Sequence, residues 1–443
     1  MVEVRAALRK VFSRVGRARA RLLRDAIVGE GAWGAGIRLY DRMSLMWAVR
    51  VARSRIPRLG LRRTVPIESL LVGWEAGVPP TVAARAGGGL LRGSVPVADG
   101  PHAALLASVE ALGDAALDPD ALWGSPWGRN ARHTIALTGS YCRATDAVAL
   151  AAVARAVVGA ASGEPWGSRK GGSPPGVPIR VRPIRGANAF QVVDGHHRAA
   201  AAGRTDPSGV VEVRVERPAV RTPLQRHLLA MSWLTGRPEL CQPVDRPDVR
   251  GWPLVRVCSD RMSMMDAFLA REGIDPATSS YLDVAACYGW FVAQMRDRGF
   301  DAVGLELDPL APALATALYG LDAGALHTSE AVAYLREREA QPATVVSCFS
   351  LLQHFVLGRA EHPPEVLLRC LDQATERVLF FDMGQATERW FRRSMPTWTP
   401  DHIESWLRSH STFAVVERLG VDTDDRPPFE GNYGRTLFAL RRG

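Results

Sequence analysis

The sequence predicts an α/β protein of two domains, in which a C-terminal domain built on a parallel sheet follows a smaller α+β domain. Length is the first indication, because 443 residues exceed what a single hydrophobic core usually organises. From residue 280 onward, apolar strand-like runs alternate with helix-like runs, as in a parallel sheet covered by helices on both faces. Between residues 64 and 218 short strands and helices also alternate, but a surface loop rich in Gly, Ser and Pro at 159–178 interrupts them.

Composition and cysteine spacing favour a globular protein of the cytoplasm. Hydrophobic residues make up 47% of the chain and charged residues 23%, and no run of 18 apolar residues offers a membrane span. The N-terminal segment lacks the apolar core and small-residue cleavage site of a secretion signal. The six cysteines are scattered without a CxxC pair, which fits a reducing compartment and argues against a zinc or redox centre.

The positive charge of the chain is concentrated near its N-terminus. Residues 1–63 contain 16 Lys and Arg against four acidic residues, a net +12, so the rest of the chain carries about −3 of the total +9. Only two lysines occur, so an arginine-rich codon usage explains this excess as well as an anion-binding role does. A helix predicted over 2–28 has a loose apolar stripe, which packs either in a core or on an acidic membrane surface or polyanion.

The elements of the N-terminal half follow from local composition. A glycine-rich break and a second apolar helix at 38–53 precede the domain. The alanine-rich stretch at 146–158 predicts a helix, and PIRVRPI (178–184) and AFQVVD (189–194) predict adjacent strands. A connection over 219–278, which contains the helix-like stretch TPLQRHLLAMSWL, separates the two domains.

Six strand-like runs in the C-terminal half predict the parallel sheet and its end. The first four are each followed by a helix-like segment, and the last two can pair as a hairpin. In chain order the runs are SYLDVAA, DAVGLEL, ATVVSCFS, RVLFFDM, FAVVERLG and TLFALRR.

The stretch YLDVAACYGWF (281–291) carries the chemistry of this half. Its strand ends at Asp283, and small residues follow at Ala285 and Gly289, so the backbone can approach a ligand at the carboxyl end of the sheet. The next strand ends in Glu306, whose carboxylate can accept hydrogen bonds from both hydroxyls of a ribose. A dinucleotide site would favour glycines where Ala285 and Cys287 stand, whereas a sulfonium cofactor has no phosphate and tolerates the substitutions.

This order of motif, acid and terminal strand pair resembles the class I S-adenosylmethionine-dependent methyltransferases over about 235–443. The resemblance implies a Rossmann-like domain with a seven-stranded sheet and S-adenosylmethionine as cofactor. It implies that CFSLLQHF (348–355) borders cofactor and acceptor, and that Ser329 or Glu330 lies near the adenine. The implied cofactor-binding residues are Asp283, Ala285, Cys287, Gly289, Glu306, Ser329, Phe349 and Ser350.

Methyl transfer to a neutral oxygen or nitrogen also requires a base. His354 is the first candidate and Asp382, at the end of RVLFFD, is the second. The alternatives are a helix-start histidine satisfied by backbone and an aspartate that caps the following helix. The sequence has neither an Asn/Asp-Pro-Pro-aromatic segment at CFSLLQHF nor a Pro-Cys pair, which disfavours methylation of exocyclic amines or pyrimidine rings in nucleic acid.

The stretch FQVVDGHHRAAAAG (190–203) carries the chemistry of the N-terminal half. Gly195 lies at a strand-to-helix turn and Arg198 in the first helical turn, where backbone amides and a guanidinium form an anion cradle. Asp194 can cap the helix, or hold a histidine or a metal. The adjacent His196 and His197 point apart on a helix start, which disfavours a metal site.

This motif and its flanking strands resemble the ParB/sulfiredoxin superfamily over about 64–218. The resemblance implies that Gly195, His196, His197 and Arg198 bind the phosphates of a nucleotide, such as a nucleoside triphosphate. The alternative is a motif retained for folding alone. Sulfiredoxins carry Cys at the position of His196, so sulfinic acid repair is not expected, and a single short helix after the domain disfavours a DNA clamp.

These observations predict a methyltransferase that acts on oxygen or nitrogen of a small molecule or a saccharide intermediate, in secondary metabolism or surface-glycan assembly. The alternative is a nucleotide-dependent binding or regulatory protein, associated with nucleic acid, whose methyltransferase half is a degenerate scaffold. The expected domains are a basic helical extension, a ParB/sulfiredoxin-like domain, a helical connection and a methyltransferase domain, over 1–63, 64–218, 219–278 and 279–443.

Overall fold

The structure is a computed structural model that divides into two compact units. It describes residues 61–72, 95–161, 178–216, 219–231, 237–338 and 341–443. The N-terminal unit comprises Met1–Ala230, Leu234–Pro238 and Asp245–Trp252, and the C-terminal unit comprises Met231–Trp233, Glu239–Val244 and Pro253–Gly443. The segment expected to form a separate connection, 219–278, is therefore divided between the two units. The helices predicted over 2–28 and 38–53, and most of the 159–178 loop, lie outside the described residues.

The N-terminal unit contains a six-stranded mixed sheet in the order β1-β6-β4-β5-β2-β3. The strands are β1 Leu61–Pro66, β2 Leu70–Val72, β3 Val95–Pro96, β4 Ile179–Pro183, β5 Phe190–Asp194 and β6 Val210–Val215. Strands β4 and β5 pair antiparallel, with Val181 opposite Val192, which confirms that the two runs are neighbours. Because β2 pairs parallel to β5 and β4 pairs parallel to β6, the sheet is mixed.

Six helices accompany this sheet among the described residues. They are α1 Pro101–Leu112, α2 Pro119–Gly124, α3 Pro126–Thr138, α4 Ala147–Ala161, α5 His196–Thr205 and α6 Pro223–Met231. Helix α5 follows β5 directly and packs on the sheet through Ala199 and Ala200, whose small side chains permit a close approach. Helices α1 to α4 form a second core around Trp127. The similarity of this unit to the ParB/sulfiredoxin superfamily stays a prediction.

The C-terminal unit contains a seven-stranded sheet in the order β12-β13-β11-β10-β7-β8-β9. The strands are β7 Ser280–Val284, β8 Asp301–Glu306, β9 Leu326–Thr328, β10 Ala343–Phe349, β11 Thr375–Asp382, β12 Val415–Val421 and β13 Thr436–Arg441. Strands β7 to β11 are parallel, whereas β13 is antiparallel to both β11 and β12. This arrangement confirms the Rossmann-like seven-stranded sheet and the terminal hairpin. The short β9 is not among the six strand-like runs of the sequence, but it is the seventh strand that the resemblance implies.

Helices cover both faces of this sheet. They are α7 Ser259–Arg271, α8 Trp290–Asp297, α9 Ala311–Tyr319, α10 Ala331–Glu337, α11 Leu352–Val356, α12 Pro364–Ala374 and α13 Pro400–His410. Side chains on α7, α8 and α9 share a core with Tyr281 and Phe380, while α10, α12 and α13 share the opposite core with Leu282 and Phe381. Neighbouring strand residues point to opposite faces, and both faces are buried, so the strands consist of continuous apolar runs.

The parallel strands bring their carboxyl ends to one edge of the C-terminal sheet. Val284, Glu306, Phe349 and Asp382 end β7, β8, β10 and β11, respectively. In an open sheet of this type, ligands bind outside these strand ends. Within the described residues, no helix is both long enough and apolar enough to cross a membrane.

Candidate functional site

The turn after β7 adopts the backbone shape of a glycine-rich turn although two of its positions are not glycine. Ala285 and Cys287 have φ angles of +67° and +55°, and Gly289 has +87°. An L-residue in this left-handed region costs about 1–2 kcal/mol, because its Cβ crowds the backbone. The turn therefore retains a conformation that its sequence does not favour, as strained turns at functional sites often do.

Glu306 joins this turn to the end of β8. Its Oε2 atom accepts a hydrogen bond from the backbone N–H of Cys287 at 2.8 Å. Its Oε1 atom accepts from the backbone N–H groups of Leu307 at 2.8 Å and Asp308 at 3.3 Å. Burial raises the pKa of Glu306 above its usual value, although these three amides oppose the shift. Because a carboxylate can accept about four hydrogen bonds, Oε2 retains acceptor capacity for a ligand hydroxyl.

Gly304 permits the close approach of the turn to β8. A Cβ atom at Gly304 would lie 2.8 Å from both the Ala286 Cβ and the Val292 Cγ2. The backbone N–H of Ala286 donates to the carbonyl of Leu305 at 2.9 Å across the same contact. The sequence analysis did not single out Gly304. A glycine inside a strand often marks the close approach of another backbone, so its position could have indicated this contact.

Asp283 places a buried carboxylate beside the turn. Its Oδ1 accepts a hydrogen bond from the Ser347 hydroxyl at 2.6 Å, and that hydroxyl lies 2.5 Å from the Tyr281 hydroxyl. Its Oδ2 has no hydrogen-bond partner among the described residues. Burial raises the pKa of Asp283 to about 7; the Ser347 hydrogen bond opposes this shift and the nearby Glu306 adds to it. One buried polar atom is thus uncommitted at the carboxyl end of β7.

A segment from outside the predicted motifs holds the turn in place. The Gln242 side chain accepts from the backbone N–H groups of Tyr288 at 3.0 Å and Trp290 at 3.2 Å, and donates to the carbonyl of Ala286 at 3.2 Å. The Tyr288 hydroxyl accepts from the backbone N–H of Cys241 at 3.4 Å. A single glutamine 44 residues before the turn gave no signal in the sequence.

The residues predicted near the adenine lie beside Glu306 in the fold. The backbone N–H of Ser329 donates to the Glu306 carbonyl at 3.2 Å. Glu330 caps α10 instead, because its Oε2 accepts from the N–H of Ala333 at 2.8 Å. Ser329 is therefore the better placed of the two alternatives. Leu307, which the sequence analysis missed, is 68% exposed directly after Glu306.

Two arginines converge on Ser350 just beyond β10. Arg256 Nη2 donates to the Ser350 Oγ at 2.7 Å, and Arg435 Nη1 donates to the same oxygen at 2.8 Å. The Tyr433 ring lies 4.3 Å from the Arg256 guanidinium and 5.4 Å from that of Arg435. Phe349, the residue before Ser350, packs against Phe291 with ring centroids 5.0 Å apart. Neither arginine was predicted as a site residue.

Asp382 is part of a buried ionic network, which argues against its predicted role as a base. Its Oδ1 accepts from the backbone N–H of Ser350 at 2.9 Å, and its Oδ2 accepts from Arg261 Nε at 2.8 Å. Burial would raise the pKa of Asp382, but Arg261, Arg256 and Arg435 together hold it below its usual value. A carboxylate that is ionised and engaged at both oxygens is a weak proton acceptor. Asp382 therefore positions Ser350 and Arg261.

Arg261 is the centre of this network. Only 3% of its side chain is exposed. Besides Asp382 it contacts Asp424 Oδ2 at 2.9 Å and donates to Asp422. Removal of one partner from such a buried network is strongly destabilising, because the remaining charges are left uncompensated in a low-dielectric interior.

His354 is half-buried on the short helix α11. Its backbone N–H donates to the carbonyl of Leu351 at 3.0 Å. Burial lowers the pKa of His354, and the positive charges of Arg359 and Arg435 lower it further. The imidazole is therefore neutral at neutral pH, the protonation state that a general base requires.

The predicted anion cradle of the N-terminal unit has an arginine folded over its turn. Gly195, at φ +90°, precedes α5, and a Cβ atom there would lie 2.8 Å from Arg198 Nη2. Asp194 does not cap α5; its Oδ2 lies 3.9 Å from both Arg180 Nη1 and Arg198 Nη2. The guanidinium and the start of the helix are thus on the same side of the turn, as an anion site requires.

A third histidine, which the sequence analysis missed, joins the motif. His102 of α1 stacks on His196 with centroids 5.1 Å apart and meets the edge of His197 at 4.6 Å, and its Nε2 is 3.1 Å from the Tyr141 hydroxyl. His102 Nδ1 and His197 Nε2 are buried and have no partner among the described residues. Burial lowers the pKa of His196 to about 4 and of His197 to about 3.

Burial also lowers the pKa of His102, so all three imidazoles are neutral at neutral pH. Within the described residues, no three His, Cys, Asp or Glu side chains are arranged to hold a metal ion. The buried nitrogens without partners can each donate or accept a hydrogen bond, depending on the tautomer.

Comparison with known proteins gives only distant similarity. No family model and no curated protein matches the sequence. Among solved structures, WbdD has a TM-score of 0.37 at 17% identity over 46% of this chain and 45% of WbdD, so the chain spans less than half of that protein. A SAM-dependent methyltransferase from Archaeoglobus fulgidus has a TM-score of 0.28 at 12% identity, over 41% of this chain and 94% of that one. Magnesium protoporphyrin IX methyltransferase (ChlM) from Synechocystis PCC 6803 has a TM-score of 0.30 at 15% identity, over 42% and 80%. Similarity at this level assigns no role to any residue.

Proposed function

We propose that the C-terminal unit is an S-adenosylmethionine-dependent methyltransferase that acts on oxygen or nitrogen of a small molecule or a saccharide intermediate. The observation that carries this proposal is the hydrogen bond from the Cys287 amide to the Glu306 carboxylate. It joins a left-handed turn after β7 to an acid at the end of β8, where a Rossmann-like sheet binds nucleosides.

The residues around this hydrogen bond fit the parts of the cofactor. Glu306 offers an acceptor to the ribose hydroxyls, and the exposed Leu307 and the nearby Ser329 offer surfaces to the adenine. The uncommitted Oδ2 of Asp283 offers an acceptor to the polar methionine portion, with Gly289 and the strained turn allowing a close approach. When bound, S-adenosylmethionine supplies an electrophilic methyl carbon on a sulfonium.

The chain would then contribute positioning and proton transfer. An in-line methyl transfer depends strongly on the orientation of the nucleophile, which Phe349 and Ser350 would border at the end of β10. Neutral His354, four residues beyond Ser350, would accept the proton from the oxygen or nitrogen that attacks. Asp382 would act as a positioning residue through Ser350.

Calorimetric titration with S-adenosylhomocysteine tests this function. We expect binding to the full chain, and about 10- to 100-fold weaker binding to Glu306→Ala, because hydrogen bonds to a charged group contribute about 1.5–3 kcal/mol. Glu417→Ala is the matched control, since Glu417 forms an exposed ion pair with Arg271 in the same unit. Absence of binding to the unmodified chain, or equal binding by the Glu306 variant, would refute the proposal.

For the N-terminal unit, a second function is supported by the histidine cluster and the guanidinium of Arg198. We propose that Gly195, His196, His197 and Arg198 bind the phosphates of a nucleotide, as the ParB/sulfiredoxin resemblance implies, and that His102 belongs to this site. His102→Phe, which keeps an aromatic ring on His196, should weaken ATP binding by about tenfold through the lost imidazole hydrogen bond. Unchanged ATP binding by this variant would assign His102 to packing alone.

The rival function, a nucleotide-dependent regulatory protein that contacts nucleic acid, makes different predictions. It requires nucleic acid binding that weakens steeply with salt and disappears when residues 1–63 are deleted. It also requires no S-adenosylhomocysteine binding, because the C-terminal unit would be a scaffold only. The two titrations on the same full-length protein therefore distinguish the two functions.

A further inference from the structure

A buried arginine of the N-terminal sheet lacks a partner. Arg182, on β4, is 9% exposed, and its Nε atom is buried with no hydrogen-bond partner among the described residues. Its guanidinium forms no ion pair with those residues either. Buried charges are normally paired, because an isolated ion in a low-dielectric interior is strongly unfavourable. An unpaired buried guanidinium is therefore an unusual feature, and it points to an anionic ligand.

Arg182 lies on the sheet face opposite to helix α5. Val181, next to it on β4, belongs to the core that α5 covers. Because neighbouring strand residues point to opposite faces, Arg182 points away from that core. On its own face, Ile184 of the same strand and Leu71 of β2 belong to a separate small apolar cluster. Apolar surroundings lower the local dielectric, so a guanidinium there attracts an anion more strongly than it would in water.

The cross-strand neighbour of Arg182 is a buried glutamine. Gln191 of β5 is paired with Arg182 in the register of the sheet and is 1% exposed. Its Nε2 is 3.5 Å from the carbonyl of Val192, which is beyond the usual length of a hydrogen bond. The Cβ atoms of cross-strand neighbours are about 4.5–5.5 Å apart. Two side chains with N–H donors are therefore adjacent on this buried face.

The acids around this pair are engaged by a different arginine. Glu216 Oε1 accepts a hydrogen bond from Arg180 Nε at 2.6 Å. Asp194 Oδ2 lies 3.9 Å from Arg180 Nη1. Arg180 is two residues before Arg182 on β4, so it occupies the carboxylates that are nearest along the strand. The charge of Arg182 is left without a countercharge from the described part of the chain.

We propose that Arg182 and Gln191 bind the oxyanion of a small ligand, a carboxylate or a phosphate group. The planar guanidinium can donate two parallel hydrogen bonds to either group, and the Gln191 amide can donate a third. The site differs from the proposed phosphate cradle at Gly195. Gln191 precedes Asp194 by three residues, about 10 Å along the strand, and Arg182 is on the face that α5 does not cover.

Thermal denaturation in three salts tests this site. The full-length Arg198→Ala variant is the reference, because it lacks the guanidinium of the proposed phosphate cradle. At equal ionic strength, sodium phosphate or sodium acetate should raise its Tm by about 2–4 °C relative to sodium chloride. A shift in phosphate alone would indicate a phosphorylated ligand, and a shift in acetate alone a carboxylate ligand. No shift in either salt would overturn the inference, whether or not the unmodified chain binds ATP.

The variant Arg182→Met assigns the shift to this guanidinium. Added to the reference, it should abolish the shift, whereas Arg62→Met, which changes an exposed arginine of the same sheet, should leave it unchanged. In chloride, Arg182→Met should have an equal or higher Tm, because methionine fills the space of the arginine stem and an uncompensated charge is removed. A retained shift, or a lower Tm in chloride, would contradict the proposed site.

The variant Gln191→Glu supplies the countercharge from within the chain. The introduced carboxylate would lie beside Arg182 and occupy the position of the ligand oxyanion. We expect a higher Tm in chloride and no further increase in phosphate or acetate. A lower Tm in chloride would show that Arg182 does not require an anionic partner, and would refute the proposal independently of the salt titrations.

Discussion

The proposed ligand sites of the two units share one backbone device and differ in the charge placed over it. In each, a strand ends in a turn whose last residue is a left-handed glycine that begins a helix, Gly195 at φ 90°, ψ 25° and Gly289 at φ 87°, ψ 20°. Arg198 folds over the first turn, whereas Glu306 accepts the amide of the second. The backbone shape therefore admits a ligand, and the charged side chain decides whether an anion or a set of hydroxyls is favoured.

The surroundings of the two turns differ as well. The side chains of Arg198 and Asp194 are 32% and 42% exposed, so water screens their interaction. Asp382, which ends β11, and its partner Arg261 on α7 are almost completely buried. We expect the charged network near the C-terminal site to support the fold itself, and the charges near the N-terminal turn to serve binding.

Stability measurements provide the largest expected difference between the two regions. Arg261→Met should destabilise the protein by about 3–5 kcal/mol, because Asp382, Asp422 and Asp424 lose their buried partner. Asp194→Asn should cost at most about 1 kcal/mol, as exposed ion pairs do. Urea denaturation of both variants checks this contrast. Equal losses of unfolding free energy in the two variants would contradict the expectation that the buried network supports the fold more than the exposed ion pair does.

Nucleotide binding provides the next largest effect. Arg198→Ala should weaken binding of ATP to the full chain by about 100-fold, since charge-assisted hydrogen bonds to phosphate are lost. Arg204→Ala, which changes the last turn of the same helix, is the control and should bind ATP as the unmodified chain does. Equal affinities of the Arg198 variant and the unmodified chain would remove the phosphate cradle. S-adenosylhomocysteine binding should not change in either variant.

The pH dependence of stability should have opposite signs in the two regions. Burial lowers the pKa of His197 from 6.5 to about 3, so the unfolded chain binds more protons in this range and stability falls as the pH falls below 6.5. Burial raises the pKa of Asp283 from 3.8 to about 7, so the folded chain binds more protons and stability falls as the pH rises from 3.8 to 7.

Two variants isolate these contributions. Between pH 7 and pH 5, His197→Gln should lose about 1–2 kcal/mol less stability than the unmodified chain, because it removes a histidine that must stay neutral. Over the same interval, Asp283→Asn should show the opposite change, with stability that no longer benefits from acidification. Urea denaturation at both pH values checks them. Identical pH slopes for all three proteins would contradict the burial of these groups.

The two glycines provide the smallest effect and the closest comparison. Gly195→Ala and Gly289→Ala should each destabilise the protein by about 1–2 kcal/mol, the cost of a left-handed alanine. Only Gly195→Ala should also weaken ATP binding, because its Cβ would meet the Arg198 guanidinium at 2.8 Å. Thermal denaturation together with ATP titration checks this. A loss of ATP binding in Gly289→Ala would indicate that ATP binds at the turn after β7, and would contradict its proposed binding at Gly195.

The sequence was sufficient where a pattern is local and repeated. The strands of the C-terminal sheet are continuous apolar runs, and the parallel order places Asp283 and Glu306 at the same edge, so the fold and the neighbourhood of these two acids could be predicted. Small residues at Ala285 and Gly289 predicted that the backbone after β7 can approach a ligand closely, and the turn there has left-handed φ angles.

The sequence was insufficient where a single residue acts across a long separation. Gln242, Arg256 and His102 reach their partners 44, 94 and 39 residues away, and none belongs to a periodic pattern. Asp382 was interpreted as a base because the sequence places it at the end of a strand. The sequence did not indicate that Arg261, 121 residues earlier, binds its carboxylate. Protonation states depend on such partners and on burial, so they follow only from the folded chain.

Hydrogen–deuterium exchange of the full-length protein, measured with S-adenosylhomocysteine and then with ATP, tests the central claim that the two turns bind different ligands. We expect S-adenosylhomocysteine to slow exchange in peptides that cover 285–290, where the Cys287 amide contacts Glu306, and to leave 195–199 unchanged. ATP should slow exchange at 195–199 alone. No protection of 285–290 by S-adenosylhomocysteine, or protection of the same peptides by both ligands, would contradict the account.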